Sequence, residues 1–228
     1  MHKIHKDSKV TITTREQTLS NQNYKKNIDC NGLLLANKNK NVTLQKTLQF
    51  ISLLNKEYPL NSGDILFLGT KDPYKDLAKL CAFKTKQSFI SSTWKPGTLT
   101  NWNETEKRIK TLHSKKVLLE NHISELLTKT SKNVIDYKSY ENFIKVETRW
   151  GGLMQSNREP RLVICLNSAS NKVAIREAQK RLIPTVGFVK RSELNNSYLT
   201  YNVVLENNEF TTLLYYCNII TQHLRTIL

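Results

Sequence analysis

The stretch from Thr93 to Lys110 holds the residue types best suited to chemistry with a polyanion. It contains Trp94 and Trp102, the hydroxyl and amide side chains of Thr98, Thr100 and Asn101, and the cations Lys95, Lys107, Arg108 and Lys110. Cations and hydrogen-bond donors hold phosphates, and an aromatic ring gives an unpaired base a face to stack on. The same two rings would serve equally as anchors packing a loop against a sheet, and the same cations as a solvated helix face. Lys71 is a further candidate, at the end of Gly69-Thr70-Lys71, which closes an apolar run. That tripeptide is not a complete phosphate cradle, because neither G-x-G-x-x-G nor G-x-x-x-x-G-K-[ST] occurs in the chain.

The remaining reactive side chains point away from catalysis. Cys30, Cys81, Cys165 and Cys217 are dispersed, with no C-x-x-C pair and no histidine at ligand spacing, so no zinc site is expected. Cys81 and Cys165 lie inside apolar runs, as small buried hydrophobes do. His113 and His122 share one predicted helix but stand too far apart to hold one metal, and no serine sits in G-x-S-x-G. The expectation is a binding protein without enzymatic activity, metal, cofactor or small-molecule substrate.

Charge names the partner class. The 228 residues include 35 Lys and Arg against 19 Asp and Glu, a formal net charge of +16. Such an excess repels itself in a compact state, whereas a nucleic acid neutralises it and releases its condensed counterions. An anionic membrane would need a basic amphipathic helix with a strongly apolar face or a lipidation motif, and neither is evident. No apolar run approaches the roughly 18–20 residues of a membrane span.

The elements that must position these residues follow from hydropathy periodicity. Residues 1–31 read as a basic N-terminal arm, and 32–228 as one α/β domain. Leu33 to Ala36 suggests a short strand, and Val42, Leu44, Leu48, Ile51, Leu53 and Leu54 recur at helical spacing up to Pro59. Gly63 to Lys71 is a continuous apolar run of the kind buried on both faces of a parallel sheet. Asp72 is placed to cap the next helix, with Pro73 in its first turn and Leu77, Leu80 and Cys81 on its inner side. Phe89-Ile90 is a weaker strand.

From about 103 to 148 the pattern changes. Ile109, Leu112, Leu119, Ile123 and Leu126 form a heptad seam interrupted at Lys116, and Val134, Ile135, Tyr137, Phe143 and Ile144 suggest a second helix folding back on the first. Glu104 with Arg108 and Glu106 with Lys110 are favourable i,i+4 pairs. The expectation is an antiparallel helical hairpin, with a single long helix as the alternative. The sheet pattern then resumes with strands at Arg161–Leu166 and Ile183–Val189. A helix over Asn171–Leu182 carries Val173, Ile175 and Ala178, an edge strand covers Tyr201–Leu205, and a closing helix covers Phe210–Leu224. Strands alternating with helices give a three-layer α/β domain with a mostly parallel sheet, whose usual ligand site lies at the strands' carboxyl ends. Gly69 to Lys71, Asn167-Ser168 and Lys190-Arg191-Ser192 occupy those ends.

Three ordered motifs resemble the small-subunit ribosomal protein two family. Gly63-Asp64-Ile65-Leu66-Phe67-Leu68-Gly69-Thr70-Lys71 is similar to its "G-x-I-L-F-V-G-T-K" strand, and Trp94 to Trp102 resembles its "R-W-L-G-G-x-L-T-N-W" loop. Gly151-Gly152-Leu153, Pro160, Leu162-Val163-Ile164, Ala174 to Ala178 and Ile183-Pro184 resemble "G-G-I … P-x-x-x-x-x-I-D … A-I-x-E-A … I-P". The resemblance implies a flavodoxin-like sheet carrying a protruding coiled-coil hairpin. It also implies a structural role in the small ribosomal subunit, bound to ribosomal RNA and neighbouring ribosomal proteins.

The chain departs from the family pattern at Thr93, Lys95-Pro96 and Lys190-Arg191-Ser192, and lacks the family's "G-H-x-x-x-x-W-N-P" signature in residues 1–32. This erosion, with abundant Lys, Asn and Ile, points to a mitochondrial ribosome in the matrix, ahead of a plastid one or a bacterial cytoplasm. Two other readings compete: a nucleotide- or cofactor-binding α/β enzyme on the same sheet, and a free RNA-binding factor.

Overall fold

The computed structural model of the protein describes residues 42–128, 137–196, 198–205 and 210–228. The expected basic arm, the expected strand at Leu33–Ala36, and Val134 and Ile135 of the expected hairpin lie outside these residues.

The strands β1 (Ile65–Leu68), β2 (Ser88–Ile90), β3 (Leu162–Cys165), β4 (Thr185–Lys190) and β5 (Tyr201–Leu205) form one sheet in the order β2-β1-β3-β4-β5. Every pairing is parallel. The continuous apolar strands are explained by this arrangement, since both faces of the sheet are covered by helices. Ile65, Phe67, Leu162, Ile164, Val186 and Phe188 point to one face, where they meet α1 (Val42–Glu57), α2 (Tyr74–Thr85) and α6 (Phe210–Ile227). Leu66, Leu68, Val163 and Cys165 point to the other, against α3 (Trp102–Thr128), α4 (Tyr137–Trp150) and α5 (Lys172–Lys180). Each fully buried side chain of this size contributes about 1.5–3 kcal/mol. Burial at the centre of the sheet pushes the Cys165 thiol up to about 12.

Helical periodicity selected more apolar residues than the inner stripes hold. Val42 and Leu53 of α1, Leu80 of α2 and Val173 of α5 are exposed. Their inward places are taken by Thr47, Ala78, Ala82 and Ala174, which let helix and sheet approach closely. The expected cap of α2 is also corrected. Pro73 is the residue that precedes the helix, so Asp72 stands one position too early, and its carboxylate pairs with Lys75 at 3.1 Å instead.

The hairpin is two helices. Trp102 and Leu112 near the start of α3 share a core cluster with Trp150 at the end of α4, so the helices run antiparallel from a common root. Ile109 and Leu112 of the seam are buried, Lys116 and Leu119 half-buried, and Lys116 pairs with Glu147 of α4 at 3.4 Å. The chain leaves α4 through the tight turn Gly151–Leu153. A Cβ on Gly152 would lie 2.2 Å from the carbonyl oxygen of Phe89, so only glycine lets this turn press on the edge strand β2.

Candidate nucleic-acid interface

The carboxyl ends of β1 and β2 lie side by side, with the Gly69 N–H donating to Ile90 O at 3.1 Å. From there Lys71 follows β1, and the loop that begins at Ser91 leads into α3. Trp94 is buried at 9 % exposure, and its indole N–H donates to Glu177 Oε1 at 3.0 Å. The Gly97 N–H reaches the same oxygen at 2.8 Å. Glu177 Oε2 accepts from the N–H groups of Leu99 at 3.0 Å and Thr100 at 3.3 Å, and from the Thr100 hydroxyl at 3.4 Å. A carboxylate 7 % exposed in α5 therefore gathers the whole loop.

The loop then converts into helix by its own hydrogen bonds. The Thr98 hydroxyl donates to Lys95 O at 2.6 Å, the Asn101 N–H to Gly97 O at 2.9 Å, and the Thr105 hydroxyl to Thr98 O at 2.9 Å. Gly97 takes φ +92°, a conformation that glycine adopts without steric penalty. Trp102 packs into the core at 8 % exposure, and its indole N–H has no partner among the described residues. Both tryptophans are thus anchors, and neither offers a ring face for stacking.

The nine candidate residues divide accordingly. Thr98 and Trp102 are buried and shape the loop from within. Lys71, Lys95, Thr100, Asn101, Lys107, Arg108 and Lys110 are exposed. Arg108 pairs with Glu104 at 3.5 Å and Lys110 with Glu106 at 2.7 Å, the expected i,i+4 pairs. Pairs this exposed exchange readily for a phosphate, because each is worth about 0–1 kcal/mol.

In the sequence Glu177 is one letter of the Ala174-to-Ala178 motif and nothing more. Its partners lie 77 to 83 positions away, so no local pattern could assign it a role.

The sheet's switch point, between the carboxyl ends of β1 and β3, is filled by the protein itself. The Thr70 hydroxyl donates to Asn171 Oδ1 at 2.9 Å, and Asn171 Nδ2 donates to Asn167 O at 3.0 Å. The cavity beside it, lined by Ser168, Lys172, Ile175, Glu193 and Leu199, measures about 120 Å³. Ligand pockets usually hold about 300–1,000 Å³. Among the described residues no group of three or more His, Cys, Asp or Glu side chains could hold a metal ion, and no helix is long and apolar enough to cross a membrane.

At the opposite end of the sheet, Arg158 clasps Asp64. Its Nε donates to Asp64 Oδ1 at 2.7 Å, and the Asn61 N–H donates to Oδ2 at 2.8 Å. Burial pushes the Asp64 carboxyl up, but the Arg158 hydrogen bond, the Asn61 N–H and the charges of Arg158 and Arg161 together hold it below its ordinary value.

An all-parallel sheet of order 2-1-3-4-5, covered on both faces and extended by a helical hairpin after its second strand, defines a flavodoxin-like α/β protein. Within that class the chain belongs to the Ribosomal protein S2 family, whose model matches residues 10–226. It is similar to the small ribosomal subunit protein uS2 of Neorickettsia sennetsu, with 29% identity over 182 residues, covering 78% of this chain and 59% of that protein. The chain thus spans less than two thirds of the length of this curated relative.

Proposed function

We propose that the protein is a structural component of a small ribosomal subunit, binding ribosomal RNA and neighbouring ribosomal proteins and serving translation without catalysing a reaction. The observation that carries this reading is the family match over residues 10–226. The geometry agrees with it. Lys95, Thr100, Asn101, Lys107, Arg108 and Lys110 are exposed on a loop and helix whose inner side is anchored by Trp94, Trp102 and Glu177, and Lys71 is exposed just beyond the end of β1. Rigid placement of cations suits phosphate contacts, which fix register without reading sequence. A filled switch point weighs against the cofactor-binding enzyme.

The subunit we assign is mitochondrial, on the strength of the eroded motifs and the Lys-, Asn- and Ile-rich composition.

Sucrose-gradient sedimentation of native lysate at moderate and high salt tests the assignment. The protein is expected to co-migrate with small-subunit RNA at both salts. Release at moderate salt would indicate a free RNA-binding factor, and a protein that stays at the top of the gradient throughout would end the ribosomal reading. Repeating the gradient on purified mitochondria tests the compartment.

A further inference from the structure

The loop from Trp94 to Thr100 has an unusual construction: its main-chain and indole donors point inward, to one acceptor on another element. Glu177 receives five hydrogen bonds, two on Oε1 and three on Oε2, and all five donors are neutral. A buried carboxylate costs stability unless its lone pairs are satisfied, and here the loop alone satisfies them. In return the loop has one conformation compatible with the carboxylate. In that conformation Lys95 and Asn101 are exposed, and the Thr98 carbonyl is aimed at Thr105 to start α3.

We infer that Glu177 is a positioning residue for the polyanion-facing surface: from α5 it sets the loop that presents Lys95 and fixes the direction in which the hairpin leaves the sheet. Glu177 does not touch the partner. It acts by removing alternative loop conformations before binding, so that their entropy is not lost at the moment of contact. The inner amides are committed to Glu177 and cannot serve a phosphate, so the loop contributes through its side chains. The binding half of this inference rests on the proposed RNA-binding role; the loop-setting half does not.

The test uses the full chain, with small-subunit ribosomal RNA transcribed in vitro as the probe. Glu177→Gln keeps the size of the side chain but replaces an acceptor oxygen with a donor amide that faces other donors. Loop amide exchange at Gly97, Leu99 and Thr100 is expected to rise by about tenfold or more while the sheet amides keep their protection. RNA affinity is then measured for Lys95→Ala, Glu177→Gln and the double variant. Lys95 is not among the hydrogen-bond partners of Glu177, so a purely structural role predicts additive losses. Positioning predicts that Lys95→Ala weakens binding several-fold in the wild-type background and by little more once Glu177 is replaced.

Additive losses, or unchanged loop exchange in a folded Glu177→Gln protein, would overturn the inference. If Glu177→Gln fails to fold, Trp94→Phe removes one of the five donors and keeps an aromatic ring. It should raise Gly97 exchange about threefold, and no rise would count against the inference. If the wild-type chain does not bind the RNA, the proposed function fails, and the loop-setting role is judged on amide exchange alone.

Discussion

The root and the shaft of the hairpin are built from the same two helices on opposite physical principles. At the root, Trp102, Ile109, Leu112, Trp150 and Leu153 are buried against the sheet, and the loop before them is hydrogen-bonded to Glu177. Along the shaft, from His113 to Glu120 and from Tyr140 to Arg149, no described side chain is buried, and Lys116 with Glu147 supplies an ion pair in place of a core. The root is therefore stabilised by the protein's own interior. The shaft holds its shape through helix propensity and a thin seam, and its surface stays exposed.

Substitutions that exchange the roles of root and shaft would break this contrast. The largest effect is expected at the root, where Leu112→Ala should destabilise the protein by about 2–5 kcal/mol in chemical denaturation, through lost burial and the cavity left behind. A loss as small as that of an exposed position would mean that the root is not part of the core.

The Asp64–Arg158 pair extends the same logic to the far end of the sheet. Asp64→Asn should cost about 1–3 kcal/mol at pH 7, because Arg158 and the Asn61 N–H lose a buried ionised partner. Asp64 titrates below its ordinary value in the folded protein, so its contribution is present above the unfolded carboxyl value of about 4 and fades as pH falls through the folded one. Wild type and variant should accordingly draw together progressively as pH falls below the unfolded carboxyl value and through the lower folded one. A gap that does not shrink at all as the solution is acidified below that unfolded value would mean that the charge of Asp64 is not what stabilises the fold.

A smaller stability change, with a large effect on binding, is expected where root meets shaft. Replacing Lys107, Arg108 and Lys110 together with Ala should alter stability by less than about 1 kcal/mol, since their ion pairs are exposed. The same variant should flatten the salt dependence of RNA binding by up to about 0.9 units per lost phosphate contact. An unchanged slope would return this helix face to ordinary solvated surface. The smallest effect is expected on the shaft: Leu118, 67% exposed, should tolerate Ala within about 0.5 kcal/mol. A larger loss in thermal unfolding would show that the shaft carries part of the fold's stability after all.

The sheet and the hairpin were legible in the sequence because their signals are local. A doubly buried strand such as Ile65–Leu68 announces itself by an unbroken apolar run, and the heptad seam by its 3- and 4-residue steps. Inner helix faces were less legible. Periodicity ranks Leu80 above Ala78 on hydrophobicity, whereas close packing of α2 on the sheet selects the smaller side chain. The candidate interface was legible as a composition and not as an arrangement. Trp102 and Thr98 look like partner-binding residues until the fold turns them inward, and Glu177 acquires its role only when α5 meets a loop that is distant in sequence.

That distance has a consequence for the order in which the chain is made. The loop leaves the exit tunnel 77 residues before the carboxylate that holds it. At about 5–20 residues per second the interval lasts on the order of 4–15 seconds. For that time Trp94, Leu99 and Trp102 have neither Glu177 nor the inner face of α5 to pack against, and the nascent hairpin carries an apolar root of whose cluster only the β1 and β2 side chains Leu66, Leu68 and Ile90 have been made before it. The late arrival of α5 makes the completion of β3 and its helix the moment at which this end of the molecule stops being vulnerable to misassembly.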